Sequence, residues 1–426
     1  MEMAATLGPA ADYRGIVASS ASGCVRLVDT LLAHIEKLEP EHRCFEHIDA
    51  EAVRARARWL DERRDALGHL PLYGMPVGVK DIIDVAGLRT SNGLPTALAT
   101  TASEDAAVVR DLQAQGAIIV GKTVSTELAF LHPARTRNPR GTDFTPGGSS
   151  AGSAAGVAAG MVAAAVGTQT GGSVTRPASF CGVHAVKTTS GLIDRTGVLS
   201  QSPTLDTVGF LACDAEALAA IMEGLTPLQP PGGDVPGRIG LLAGGMVDRA
   251  PDYVREALHR IERHCADRVS RVVLDPLFDR CVPVRQRINM FELRYQFEHF
   301  MTGYGNHLSD TLKAGYREGE GVTVEDYFAA IREGADIRRY VNGLLEQFDY
   351  LLLPSALGEP PKGLESTGDS LYNAPWSLLG NPTVTLPLCA GPNGMPFGLQ
   401  LVGRHFSERA LIAAGAALSA RFAEAL

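Results

Sequence analysis

GGSSAGSAAGVAAGMVAAAVGTQTGGSVTRPASFCGV, residues 147–183, is the stretch on which the reading of this chain turns. From Gly147 to Gly172 there are 26 residues, eight of them glycine, where the chain's own content of 46 in 426 would give about three. Residues 151–166, AGSAAGVAAGMVAAAV, are almost all small. They are too poor in polar groups for a loop and too small for a surface helix, so the expectation is a buried helix packed closely on all sides. Ser149 and Ser150 stand at its N-terminus, where hydroxyls can cap free N–H groups. Another serine, Ser173, lies 24 residues past Ser149 in GTQTGGS, again in a glycine-rich turn.

Outward from this segment the chain alternates between helices and strands. Leu27, Leu31, Leu32, Ile35 and Leu38 recur at helical spacing, and a charged stretch from Glu51 to Arg64 puts Val53, Ala57 and Leu60 on one face. The arginines of 54–64 interleave with acids and read as a solvated helix face. Leu72 to Val79 (LYGMPVGV) predicts a short strand that ends at Lys80-Asp81; 106–115 predicts a helix, and Ala117 to Val120 a buried strand. Beyond Pro203 the glycine density falls. Arg238–Ala243 and Arg271–Leu274 read as strands around a helix opened by Pro251 and Asp252, with Val254, Leu258, Ile261 and Cys265 on one face. Residues 285–347 read as largely helical, and Tyr350–Pro354, Val384–Leu388 and Gly398–Val402 as strands. Such alternation predicts an α/β fold. No repeat or low-complexity linker divides the chain; the Pro/Gly stretch at 227–237 marks the start of an insertion or subdomain.

The two serine turns carry the chemistry. Glycine lets backbone approach a ligand closely, and a serine closing such a turn projects its hydroxyl while nearby N–H groups point at one spot, the geometry an oxyanion requires. A serine needs a base. No histidine is placed for that work: His132 and His184 flank the region, and both read as structural. A lysine serves if burial lowers its pKa from ~10.4 towards neutrality, and Lys80 is the candidate. Taken singly, each feature has a plainer reading. GGSSAGS alone is a helix N-cap, Lys80 alone a surface charge. TGGS alone is a phosphate-binding turn, although it lacks the Gly-Lys-Ser/Thr ending of a nucleotide P-loop.

Taken together, these segments resemble the amidase signature family of serine hydrolases. GMPVGVKDIIDVAGLRTSNG (74–93) is similar to the family's lysine region, Leu205-Asp206-Thr207-Val208-Gly209 to its LDTVG element, and GNPTVTLPL with GMPFGLQLVG (380–403) to its C-terminal strands. The resemblance covers about 65–405 in the family's order. It implies one α/β/α sandwich around a large mixed sheet, spanning 1–426: an N-terminal helical part (1–65), a signature core (66–225), a variable helical specificity region (226–347) and C-terminal strands and helix of the same sheet (348–426). It implies a Ser–cis-Ser–Lys triad: Ser173 the nucleophile, Ser149 the bridging serine after a cis peptide bond, Lys80 the base. The N–H groups of Thr170, Gly171, Gly172 and Ser173 would form the oxyanion hole. The reaction implied is hydrolysis of an amide C–N bond through an acyl-enzyme, with no metal and no cofactor.

The chain departs from the family pattern in places. Gln169 stands where many members have Asp, Thr175 where many have Arg, and Lys187-Thr188-Thr189 replaces the usual Lys-Pro-Thr. GTQTGGSVxRPASFCGV resembles the branch containing malonamidase, whose arginine three residues past the nucleophile binds the substrate carboxylate. Arg176 would be that residue; its other reading is a buried structural contact. The substrate expected is a small amide, with or without a carboxylate. Other readings are an A-type glutamyl-tRNA amidotransferase component, a ureido- or biuret-type hydrolase, and a non-catalytic binding relative. Phe291, Tyr295 and Phe300 line the pocket or, as the safer expectation, belong to helix core.

Composition bounds the rest. Hydrophobic residues make 45% and charged residues 20%, a globular balance that excludes disorder. The net charge of −9 disfavours a nucleic-acid partner. No apolar run is long enough to span a membrane, and Met1 to Val17 shows no secretory pattern. Seven cysteines without CxxC spacing fit a reducing, cytoplasmic setting better than a disulfide framework. The expected partner is a small-molecule amide, with no nucleic acid and no membrane, and a homodimer is compatible with the sequence.

Overall fold

The computed structural model describes residues 8–228 and 237–425. Met1 to Leu7 and residues 229–236, on which parts of the leader and insertion readings fall, lie outside the described residues. Eleven strands form one sheet: β1 (Phe45–His47), β2 (Pro76–Lys80), β3 (Ile118–Thr123), β4 (Ala164–Gln169), β5 (His184–Lys187), β6 (Thr207–Ala212), β7 (Ile239–Ala243), β8 (Val269–Val273), β9 (Tyr350–Pro354), β10 (Thr383–Ala390) and β11 (Pro396–Val402). Their order across the sheet is β1-β3-β2-β4-β6-β5-β10-β11-β9-β7-β8. Pairing is parallel between β3, β2 and β4 and again between β9, β7 and β8, and antiparallel through the middle. The sheet is therefore mixed, as expected, and takes strands from both ends of the chain. The central strands are apolar and buried along their length, as strands covered on both faces must be. No helix among the described residues is long and apolar enough to cross a membrane.

The helices that matter for the site are α1 (Gly23–His42), α2 (Ala50–Asp61), α3 (Ala151–Ala158), α4 (Thr175–Cys181), α5 (Cys281–Tyr304), α6 (Asp310–Glu320) and α7 (Val324–Gln347). Helices α1 and α2 bury the predicted faces, Leu27, Leu31 and Ile35 on one and Val53, Ala57 and Leu60 on the other. The short strand β1 between them is not legible in the sequence. Within the arginine-rich face of α2, Arg54 pairs with Asp29 and Glu51 in solvent, but Arg56 is tied to the carbonyls of Gln113 and Ala117.

The small-residue segment differs most from its expected form. It is two elements: helix α3 ends at Ala158 and strand β4 begins at Ala164. Gly160 makes the turn with φ +66°, and a Cβ there would meet Gly8 N at 2.2 Å. Small size is required on the helix too, since a Cβ on Gly152 would meet Cys44 O at 2.3 Å and Val124 N at 2.4 Å. Residues this small carry no periodic apolar face, so tertiary contact decides between helix and strand. The N-terminal serines also do other work: no side chain caps α3.

Candidate active site

Lys80 ends β2, fully buried. Strand β2 runs parallel to β4, with Val79 opposite Val166, which sets the lysine amine beside Thr168. Nζ donates to Thr168 Oγ1 at 2.8 Å and to Ser149 Oγ at 2.7 Å. Burial pushes the Lys80 amine down from 10.5 to about 7, opposed by the more distant Asp206 carboxylate. No carboxylate lies within ion-pairing distance of it among the described residues. Its neighbour Lys122 is equally buried but is paired with Asp81 at 3.0 Å.

Ser149 lies in the turn leading into α3, after a cis Gly148–Ser149 peptide bond, and is 2% exposed. The turn is held from three sides. Thr126 N donates to Ser149 O, Ser150 N donates to Ser173 O at 3.3 Å, and Arg176 Nη2 donates to Gly148 O at 2.8 Å. Ser149 and Ser173, distant in sequence, are thus tied through adjoining backbone. Ser173 is partly exposed on the cleft, unlike Lys80 and Ser149.

The two sides of the 170–173 backbone differ in their hydrogen bonding. Its carbonyls are all occupied: Thr170 O accepts from Arg285 Nη1 at 3.5 Å, Gly171 O from Ser377 Oγ at 3.0 Å, Gly172 O from Arg176 N at 2.9 Å and Ser173 O from Ser150 N. Among the described residues, none of the N–H groups of Thr170, Gly171, Gly172 and Ser173 donates to a protein acceptor. Buried backbone N–H groups are normally paired, so this row of donors is available to an oxygen in the cleft. The close approach needs glycine: a Cβ on Gly172 would meet Asn373 Oδ1 at 2.7 Å.

Gln169 is fully buried and does structural work beside Ser173. Its Oε1 accepts from the N–H groups of Val174 and Thr175, at 3.0 Å each, which fixes the start of α4. A neutral amide suffices for those two bonds and adds no charge near Lys80. Asp206 accepts from Thr170 Oγ1 at 2.6 Å and from the N–H groups of Gln201 and Ser202, anchoring the turn from behind.

The cleft in front of Ser173 is lined by 170–173 and by Ala129, Phe130, Leu131, Arg176, Gln201, Arg285, Gln286, Asn289 and Ser370. One wall bends through left-handed backbone at Leu128 (φ 46°) and Ala129 (φ 56°), a conformation that costs energy for residues with side chains and is common beside functional sites. Arg176 is 3% exposed and lines the cleft while holding Gly148 O and Thr367 Oγ1. Sequence reading missed Thr168 and Arg285. Thr168 is legible only once the β2/β4 register is known, and Arg285 lies more than a hundred residues from the signature, on α5.

The aromatics of α5 do not line the cleft. Phe300 is buried in a small cluster with Phe297 and Leu312; Phe291 stacks on Tyr327; Tyr295 is 57% exposed, neither pocket nor core. It falls on the outward face of α5, which the aromatic pattern alone does not resolve. His132 is exposed and does not line this cleft, and His184 sits on β5. All seven cysteines are free, and no cluster of metal-ligating side chains occurs among the described residues.

Comparison with known proteins shows the family. Residues 26–230 and 283–412 match the family model described as Amidase, and the chain belongs to that family, the amidase signature proteins. It is 32% identical to the A-type subunit of glutamyl-tRNA(Gln) amidotransferase from Roseiflexus castenholzii, over 95% of this chain and 94% of that protein. Among solved structures, a vestigial complex at the evolutionary origin of an s-triazine catabolic enzyme superposes with a TM-score of 0.87 at 27% identity, covering 96% of this chain and 98% of that one. A crystal structure of an amidase gives 0.83 at 28%, covering 95% and 96%.

Proposed function

We propose that the chain cleaves the C–N bond of a small carboxamide by nucleophilic catalysis at Ser173. One observation carries this reading: Lys80, buried without a paired carboxylate and pushed down to about 7, holds the hydroxyl of Ser149, whose turn is tied to Ser173. An amine with that pKa is largely neutral at mildly alkaline pH and can act as a base. Neutral Lys80 takes the proton of Ser149 as Ser149 takes that of Ser173. Ser173 Oγ attacks the amide carbon, and the carbonyl oxygen gains its negative charge facing the free N–H groups of 170–173. The proton returns through Ser149 to the leaving nitrogen, which departs as ammonia or an amine. Water then cleaves the acyl-enzyme by the same relay.

A second reading concerns where the ammonia goes. The Roseiflexus relative, matched over nearly its full length, favours an amidotransferase component of the A type, in which partner proteins use the ammonia, over a free-standing linear amidase. Labelling with a fluorophosphonate followed by peptide mapping tests the shared chemistry. Modification at Ser173, lost together with amide hydrolysis in Ser173→Ala, is expected; full turnover in Ser173→Ala contradicts the reading. Ammonia release by the purified chain alone, against release only with added amidotransferase partner proteins, separates the two fates.

A further inference from the structure

The cleft beside Ser173 is lined by two arginines and by no acidic side chain. The two come from different parts of the fold, Arg176 from α4 and Arg285 from α5. Both are deeply buried, at 3% and 9% exposure, and in each the buried Nε has no protein partner. Neither makes an ion pair among the described residues. Arg285 spends Nη2 on the neighbouring Gln286 side chain, at 2.6 Å, and Nη1 on a long 3.5 Å contact with Thr170 O. Asp369 and Glu318 act on Arg176 and Arg285 only at longer range, and desolvation pushes each guanidinium down to about 10, so both stay charged at neutral pH. Arg285 further disfavours the charge on Arg176. Two buried like charges without a counter-ion are costly, and an anion seated between them would relieve that cost. A guanidinium offers a carboxylate a planar fork of donors.

We propose that Arg285 is a specificity-determining residue, which with Arg176 receives a carboxylate at the non-reacting end of the amide, and that the cleft disfavours an ammonium on the same substrate. This deepens the amidase reading and rests on it for the position of the scissile amide. It also bears on the fate of ammonia, because glutamine carries an α-ammonium that this cleft has no carboxylate to pair. The preferred substrate is an ω-amide acid without an amino group. Arg176 is the more committed of the two to the relay, since its Nη2 holds the carbonyl before Ser149 and Thr367 Oγ1; Arg285 holds only the neighbouring Gln286 side chain and, at 3.5 Å, Thr170 O.

Calorimetric binding to the inert Ser173→Ala chain tests this without relying on turnover. The probes are malonamate, succinamate and glutaramate, each beside its neutral diamide, with L-glutamine, which differs from glutaramate by the α-ammonium alone. At least one acid is expected to bind roughly 10- to 100-fold more tightly than its diamide, and glutaramate more tightly than glutamine. Adding Arg285→Gln should erase most of the acid-over-diamide ratio, and Arg285→Lys should restore part of it. Thermal unfolding of each variant shows whether the fold is kept, and the lysine variant decides the matter if the glutamine variant unfolds. The proposal is overturned if no acid outbinds its diamide, if glutamine binds as well as glutaramate, or if the ratio survives in Arg285→Gln or is unchanged in Arg285→Lys. Fluorophosphonate labelling of the parent enzyme keeps the two claims apart: labelling at Ser173 with no acid preference removes this inference and leaves the amidase reading standing.

Discussion

Lys80 and Lys187 occupy matching positions in different parts of one sheet. Each ends its strand, each is fully buried, and burial pushes each amine down from 10.5 to about 7. Their surroundings differ. Lys80 donates to two hydroxyls, of Ser149 and Thr168. Lys187 donates to the carbonyl of Thr188 at 2.6 Å and feels the buried Glu408 carboxylate, which itself accepts from Thr189 N. A carbonyl has no proton to give. Burial alone therefore makes a lysine that is easily neutralised, and what it touches decides whether it is a base. The lowered pKa is shared by both residues; the serine hydroxyl is not.

That contrast can be broken experimentally, starting with the largest effect. Lys80→Met should lower kcat/KM for any amide by ~10²- to 10⁴-fold, the usual range for a positioned general base, with the fold retained in circular dichroism. Retention of more than a tenth of the activity would place the base elsewhere. A middle-sized effect is expected where the relay is held. Arg176→Gln removes the donor to Gly148 O, next to Ser149, and small misplacements of a relay cost about 10- to 100-fold. Here kcat should fall on neutral and anionic amides alike, so a change confined to the KM of anionic amides would make Arg176 a binding group alone. The smallest effect on activity belongs to Lys187→Met, with kcat/KM within ~3-fold of the parent because nothing in the relay is touched. Its signature is in stability. An amine whose folded pKa lies below its unfolded value holds its proton less tightly when folded, so stability should rise as pH increases from about 7 towards 10.5 and gain nothing below about 7. Thermal midpoints measured from pH 7 to 9 should climb less steeply in Lys187→Met than in the parent.

The legibility of the site follows the range of the physics that builds it. Ser149, Ser173 and the 170–173 turn stand out in the sequence because close backbone approach forces glycine around them, whereas Lys80, alone a surface charge, is singled out by the resemblance to the amidase signature family. The alternation of helices with strands is legible for a similar local reason, the apolar spacing of residues such as Val53, Ala57 and Leu60. Segment 151–166 reads wrongly as one helix because alanine and glycine carry no face, so the turn at Gly160 depends on its contact with Gly8, far away in the chain. Thr168 requires the β2/β4 register, and Arg285 the docking of α5 over the signature turn. Neither leaves a mark in local sequence. Gln169 is visible as a departure from the family pattern, but its work, holding two N–H groups at the start of α4, becomes clear only from the geometry.

The central claim is that neutral Lys80 activates Ser173 through Ser149. The pH dependence of the rate of fluorophosphonate labelling at Ser173 tests it most directly, since it needs no knowledge of the substrate. With Lys80 as the base, the rate should rise with pH as a single titration with a midpoint at about 7 in the parent, and in Lys80→Met it should lack that limb and be at least ~10²-fold slower. The same limb and rate in Lys80→Met, or labelling at a residue other than Ser173, would contradict it.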